Sequence, residues 1–449
     1  MLIAAAVTAA LSSLPVGAFA APAAVKAEDV AQIREQLQGL LQRVDKLEQE
    51  NGQLKSENAD LKAQGEELKA QGDYLKSEAK GLRKDTANLQ ADTAKVKGVE
   101  WASKVSLKGD LRYRYEMIDD ASKDDVRYRD RIRARLGLEA KVLDNLKIGL
   151  QLATGGDDPR SSNQTLDDFN ARKSIGLDLA YFDWKYASWG NLVGGKMKNP
   201  VVRPGQSLFY DGDVNPEGLA LGFNHGVFFG GAYYLWLDER SAEADAMQYG
   251  AQVGARLPIG GNNLMLAVHY SQLAKAQGYR PFWNCSASGA AIGSSRTIGC
   301  ANGNTVVGID QDSATLAYDF KVLELAAEWN MTVGSLPLQF WGNWAKNQDP
   351  DDLNTAWGAG FLLGKASNRR SWEVGAGYQK IEKDALFGQL VDSDFADGKT
   401  DGKGWILRAG YAPHKNWTLN ATYFINQRQV EVGPQSDYDR MQLDFNLKF

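Results

Sequence analysis

Histidine and cysteine are nearly missing from this chain: three of the one and two of the other among 449 residues. His225, His269 and His414 lie far apart in sequence, and neither histidine nor acid stands between Cys285 and Cys300. The usual ligand sets for zinc and iron are therefore lacking, and no metal or cofactor is expected. No HExxH run, phosphate-binding glycine loop or nucleophile motif occurs either, so the chain does not read as an enzyme. Long apolar runs are absent beyond residue 19, and the mean hydropathy of -0.40 argues against a bundle of membrane helices. It does not argue against a membrane barrel, where only alternate strand residues face lipid. A net charge of -5 excludes an ordinary nucleic-acid binder.

The N-terminal stretch carries the one apolar run. Residues 1–20 read as a secretory signal peptide, with Ala18-Phe19-Ala20 as a small-x-small cleavage site. Ser12, Ser13, Pro15 and Gly17 interrupt it too often for a spanning helix. No Lys or Arg precedes the run, so its true start is expected upstream or trimmed. Export makes a disulfide between Cys285 and Cys300 the expectation, stapling a Gly/Ser-rich loop.

After a linker at 21–29, residues 30–97 carry a heptad repeat. Ile33, Leu40, Leu47, Leu54, Leu61, Leu68, Leu75, Leu82, Leu89 and Val96 recur every seventh position. A second column three residues ahead runs Val30, Leu37, Val44, Asn51, Asn58, Gly65, Gly72, Ala79, Thr86 and Thr93. Leucine at d with a mixed a column predicts a coiled coil. A helix this polar on its other faces cannot bury its seam alone, so it must self-associate. Gly65 and Gly72 cost roughly 1 kcal/mol each against alanine, predicting a softer rod beyond Leu61.

From residue 98 to 449 the period changes to two. Strands are predicted at 107–115, 126–140, 146–154, 173–186, 191–198, 218–224, 227–237, 247–257 and 264–273. They continue at 320–333, 336–346, 355–364, 371–381, 404–411, 417–427 and 441–449. Short connections at 144–145, 258–263, 334–337 and 413–416 alternate with long ones, as periplasmic turns and external loops do in outer-membrane barrels. Counting 314–318 as external preserves that alternation. The fold class expected is an all-β, antiparallel transmembrane barrel of about 16 strands, preceded by the coiled coil. The 12 Trp, 17 Tyr and 16 Phe suit interfacial girdles. In the last strand Met441, Leu443, Phe445, Leu447 and Phe449 alternate with polar residues. Its terminal phenylalanine resembles the closing strand of bacterial outer-membrane barrels.

The polar faces should look into the lumen. Arg127, Arg129, Arg131, Arg133 and Arg135 occupy every second position, and Arg112 and Arg114 share their parity on the preceding strand. Guanidiniums stay charged and bind carboxylate or phosphate bidentately, so these seven are the expected pore-lining, anion-attracting residues. Asp110, Glu116, Glu324, Glu328, Glu373 and Asp444 are the acids that could neutralise them, leaving a balanced field with weak selectivity as the alternative.

Residues 128–137 (Tyr-Arg-Asp-Arg-Ile-Arg-Ala-Arg-Leu-Gly), Lys198-Asn199-Pro200, 213–218, 394–398 and 416–419 resemble the putative porin family related to phosphate-selective porins. The resemblance covers most of residues 101–449. It implies an outer-membrane porin for passive diffusion of small, often anionic solutes, with a periplasmic coiled coil and a homotrimeric assembly. In porins the loop at the place of residues 196–218 folds inward. The resemblance therefore implies a constriction with Lys196, Lys198 and Arg203 near the narrowest point, bounded by Asp211 and Asp213, with an ordinary external loop as the alternative. Partners implied are outer-membrane lipid, further copies of the chain and small anionic solutes, with a tether to peptidoglycan compatible. The alternative is a structural or adhesive envelope protein whose coiled coil does the work and whose barrel is an anchor.

Overall fold

The computed structural model describes residues 27–95, 100–241, 244–282, 301–308 and 314–449. The expected signal peptide and the Cys285–Cys300 disulfide lie outside the described residues. The chain divides into two units between Lys97 and Gly98. Among its described residues the first contains one helix, α1 (Ala27–Lys95). Its d-position leucines from Leu40 to Leu82 are uncovered, from 57 % exposed at Leu54 to 68 % at Leu68.

The second unit begins with a short helix, α2 (Glu100–Ser103), and continues as sixteen long strands. These are β1 (Val105–Asp120), β2 (Arg127–Leu143), β3 (Leu146–Thr154), β4 (Ile175–Ala187), β5 (Gly190–Lys196), β6 (Glu217–His225), β7 (Phe228–Asp238) and β8 (Ala246–Ile259). The rest are β9 (Asn262–Ala274), β10 (Phe320–Val333), β11 (Leu336–Asn347), β12 (Thr355–Gly364), β13 (Ser371–Ile381), β14 (Gly402–His414), β15 (Trp417–Arg428) and β16 (Ser436–Lys448). Each pairs antiparallel with its sequence neighbours, and β16 pairs back onto β1. The barrel is closed and has no free edge. Residues 315–316 pair with 306–307 outside the wall, as the alternation rule required.

At the seam, Phe449 exchanges backbone hydrogen bonds with Gly109 (3.1 and 3.2 Å), and its ring lies where a Gly109 side chain would stand. Only glycine lets the ring approach the wall so closely. Outward positions carry Leu107, Leu111, Leu136, Leu138, Leu150, Val253, Leu266 and Leu407, all exposed. Aromatic rows flank that band. Trp184, Tyr186 and Trp189 pack edge to face near the short turns, whereas Trp357, Tyr378 and Trp405 cluster near the loops. Aliphatic belts between aromatic girdles are the outer surface of a barrel in lipid. Among the described residues no helix is long and apolar enough to cross a membrane.

Candidate functional site: an arginine wall and the loops that reach it

Period-two alternation puts all the arginines opposite the lipid-facing residues of their strands. The pairing of β1 with β2 sets Arg112 across from Arg133 and Arg114 across from Arg131. Like charges directly opposite would repel, and the wall resolves this with carboxylates set between them. Arg133 (2.9 Å) and Arg135 (2.7 Å) share Asp110. Arg129 is bonded to buried Glu116. Arg114 grips both oxygens of Asp444 on β16, at 2.6 and 2.8 Å, and reaches Asp394 at 3.1 Å. Arg112 donates to Asn163 (2.5 Å) and stands 4.0 Å from Asp444. Among the described residues Arg131 bonds Ser161 Oγ and the Asn163 carbonyl, both at 3.3 Å, and no carboxylate. The Nε atoms of Arg112 and Arg131 are buried with no acceptor among the described residues. Arg127, at the loop end of β2, is exposed.

The connection from β5 to β6, residues 197–216 (L3), leaves the wall and crosses to the far side. Val202 exchanges hydrogen bonds with Gln252 on β8, and Arg203 pairs with Glu324 on β10 at 3.2 Å. The Gly205 amide donates to Glu328, and the Leu208 amide to Gln379 on β13. Gln206 meets Arg408 on β14. The segment then returns. Asp213 accepts from Ser162 and sits 3.8 and 3.7 Å from Arg133 and Arg135. Asn215 donates to Asp178 on β4 at 2.6 Å.

The candidate loop residues are thus put to unequal uses. Arg203 is half-buried, stacked 3.8 Å over Tyr210 and paired with Glu324, which also bonds His269 (3.2 Å) and Asn343 (3.0 Å). It fastens the loop to the wall. Lys196 is held by Glu217 and the Asn215 carbonyl, while Lys198 is exposed. Asp211 is buried and accepts from the Asp213 and Ser393 amides, both 2.8 Å.

A second inward segment escapes sequence reasoning. Residues 382–401 (L7), between β13 and β14, pack on L3 through the Asp211 amide and the Leu390 carbonyl (2.9 Å). Asp394 of L7 reaches Arg114 and Arg440. Burial alone would raise its carboxyl, but those two guanidiniums hold it far below the usual range. Asp392 goes the other way. Burial and then the Asp394 charge push it up to about 6, and Asp211 is raised by burial and by Asp392. Arg440 belongs to the wall too, bonded to Asp394 (2.6 Å) and 3.8 Å from Glu116. It stands alone in its strand, so no repeat marked it. Under L3 and L7 lies an apolar cluster, with Phe209 from L3 and Leu386, Phe387, Val391 and Phe395 from L7. They pack on Leu273, Phe320, Val322, Ile381, Ile406 and Phe424 of the wall.

A closed antiparallel barrel with lipid-facing apolar rows, a charged inner wall and an inward third loop defines an outer-membrane porin-like channel. The chain belongs to the putative porin family, whose model matches residues 117–449. Its fold is similar to that of OprB from Pseudomonas putida, with a TM-score of 0.52 at 12 % identity, covering 80 % of this chain and 97 % of that one. OmpF of Salmonella typhi, in a complex with daunomycin, gives 0.46 at 13 % identity, covering 77 % and 97 %. The trimer form of Vibrio cholerae OmpT gives 0.45 at 12 %, covering 77 % and 99 %. No curated protein matches the sequence. The family and the barrel place the protein in the bacterial outer membrane as a channel.

Proposed function

We propose that this channel is a diffusion porin passing small hydrophilic solutes with a preference for anions, and that L3 narrows its lumen. One observation carries the preference. Seven inward arginines (112, 114, 129, 131, 133, 135 and 440) meet five carboxylates (Asp110, Glu116, Asp213, Asp394 and Asp444), leaving two positive charges in excess. Guanidiniums do not lose their proton at any working pH. An excess of fixed charge on a low-dielectric wall concentrates counter-ions beside it. Arg131 and exposed Lys198 are the cations best placed to meet a solute. Passive flow needs no cofactor and no energy source. The same close pairing favours a second reading, a balanced transverse field with weak selectivity.

In this reading the working unit is a homotrimer in outer-membrane lipid with α1 in the periplasm, where a tether to peptidoglycan is compatible with channel activity. The test is the reversal potential of the purified protein in a planar bilayer under a salt gradient. Stepwise, anion-selective channels are expected. A reversal potential near zero selects the balanced field, and cation selectivity overturns the arginine argument. A folded sample with no conductance moves the weight to an anchor whose α-helical stalk is the working part.

A further inference from the structure

Phe209 fills the space under the far end of L3, but the first limb of the loop (residues 197–201) leaves a hollow. Between that limb and the inward faces of β4 to β8 lies a cavity of about 260 Å³. Its floor is small or apolar, with Val193 on β5, Ala220 and Gly222 on β6 and Gly231 on β7. Met197, Ala220, Tyr233 and Leu235 form one buried apolar cluster there, and Tyr181 and Val201 pack against it. An apolar cavity of about 150 Å³ is enough to hold benzene. This one therefore has room for a ring and a short substituent.

The polar groups around the hollow decide what the ring can carry. Asp183 accepts from Asn191 (2.9 Å) and pairs with Lys147 (3.4 Å). The Gln252 side chain is joined to Val202 through both its oxygen (2.9 Å) and its nitrogen (2.7 Å). The Tyr181 hydroxyl donates to Glu139 (3.2 Å), and the Tyr233 hydroxyl meets His269 (2.9 Å). Among the described residues that line the cavity, Lys198 alone is a polar side chain with neither hydrogen bond nor ion pair. A sugar would find one open partner and leave its other hydroxyls unpaired, which is costly. A carboxylate on a ring needs just that one cation.

We infer that this cavity is a binding site for amphiphilic monoanions, which lay an apolar ring on Val193 and Gly222 and set a carboxylate on Lys198. No second open cation lines it, so a dianion gains nothing over a single carboxylate. Solutes reach the cavity through the proposed channel, so the site rests on that reading for its traffic. It makes a choice that the arginine wall cannot make, because guanidiniums bind any small carboxylate or phosphate by charge and shape. In the hollow an arene also leaves water, which favours it over an acid of the same charge without a ring.

The test uses the full chain, folded in detergent, with benzoate as the probe and saturation-transfer NMR to read its binding. Saturable benzoate binding is expected. Acetate, which has the charge without the ring, and benzamide, which has the ring without the charge, should each bind about tenfold more weakly. Lys198→Gln should weaken benzoate by a similar factor and leave benzamide where it was, whereas Lys198→Arg should keep benzoate bound. Val193→Phe fills the hollow without touching a charge and should exclude both rings. If acetate matched benzoate, or if Arg131→Ala rather than Lys198→Gln abolished binding, the carboxylate would be held at the arginine wall, which overturns the inference. Saturable binding of glucose in place of benzoate, or no saturable benzoate binding at all, overturns it as well. Binding is read here without current. A sample that binds benzoate but does not conduct would refute the channel reading and keep the site, and a conducting channel that does not bind it would refute the site alone.

Discussion

The lumen has two unlike halves. From β9 to β15 the wall carries Leu273, Phe320, Val322, Ile381, Ile406 and Phe424, which pack on phenylalanines from L3 and L7. On β16, β1 and β2 the same inward positions carry arginines and acids. Both halves hold the loops, but by forces of different size. Burying a phenylalanine contributes about 1.5–3 kcal/mol, whereas a buried ion pair adds little net stability once both charges are desolvated, although breaking it is costly. The apolar half therefore fixes where L3 and L7 lie, and the charged half keeps its arginines and acids in mutual pairs. In the proposed reading, rigidity and selectivity fall on opposite sides of one barrel.

The largest effect should come from breaking the apolar half. Phe209→Ala with Phe395→Ala removes two fully buried rings, at about 3–5 kcal/mol each. L3 and L7 should then loosen, raising single-channel conductance severalfold with added current noise. The sign of the reversal potential should persist, because no arginine has changed. An unaltered conductance would mean that the ion pairs, not the rings, hold the loops.

The charged half can be divided by the same logic. Arg114→Ala strips a bidentate partner from Asp444 and a contact from Asp394, and a broken buried pair costs about 3–5 kcal/mol. The melting temperature should fall sharply. Arg131→Ala removes no carboxylate partner, so melting should hardly move while anion selectivity declines. If both variants lowered stability alike, Arg131 would be a structural residue as well, and the excess charge would have to be sought elsewhere.

This division explains what the sequence disclosed. All sixteen strands were legible, because one face of each meets lipid and the two-residue period cannot slip without reversing every side chain. The arginine ladder was legible for the same reason. Its partners were only half visible: Asp110, Glu116 and Asp444 share the strand parity, but Asp213 and Asp394 arrive on loops, where periodicity carries no information. The apolar core was invisible, since Phe209, Phe387 and Phe395 lie in segments rich in Gly, Asp and Ser. Arg203 has the composition of a solute contact, and only its burial against Glu324 makes it a fastener.

The finest test concerns the point where L3 meets L7 between the two halves. Asp392 and Asp211 are both raised, by burial and by neighbouring carboxylates, with Asp392 at about 6. Asp213 is held low because Arg133 and the Ser162 hydrogen bonds overcome its burial, and Arg408 draws Asp392 down without cancelling the rise. A released L7 would let Asp392 ionise near the usual 3.8, while the docked loop keeps its proton to about pH 6. The docked form thus binds more protons between those values, so docking is strongest below about pH 4, weakens as pH rises to about 6 and is constant above. Conductance and current noise should rise modestly across that window in the native channel. Asp392→Asn mimics the protonated group and should flatten the profile at its low-pH level. A profile that kept its slope in the variant would assign the titration to another group, Asp211 being the other raised carboxyl at this contact.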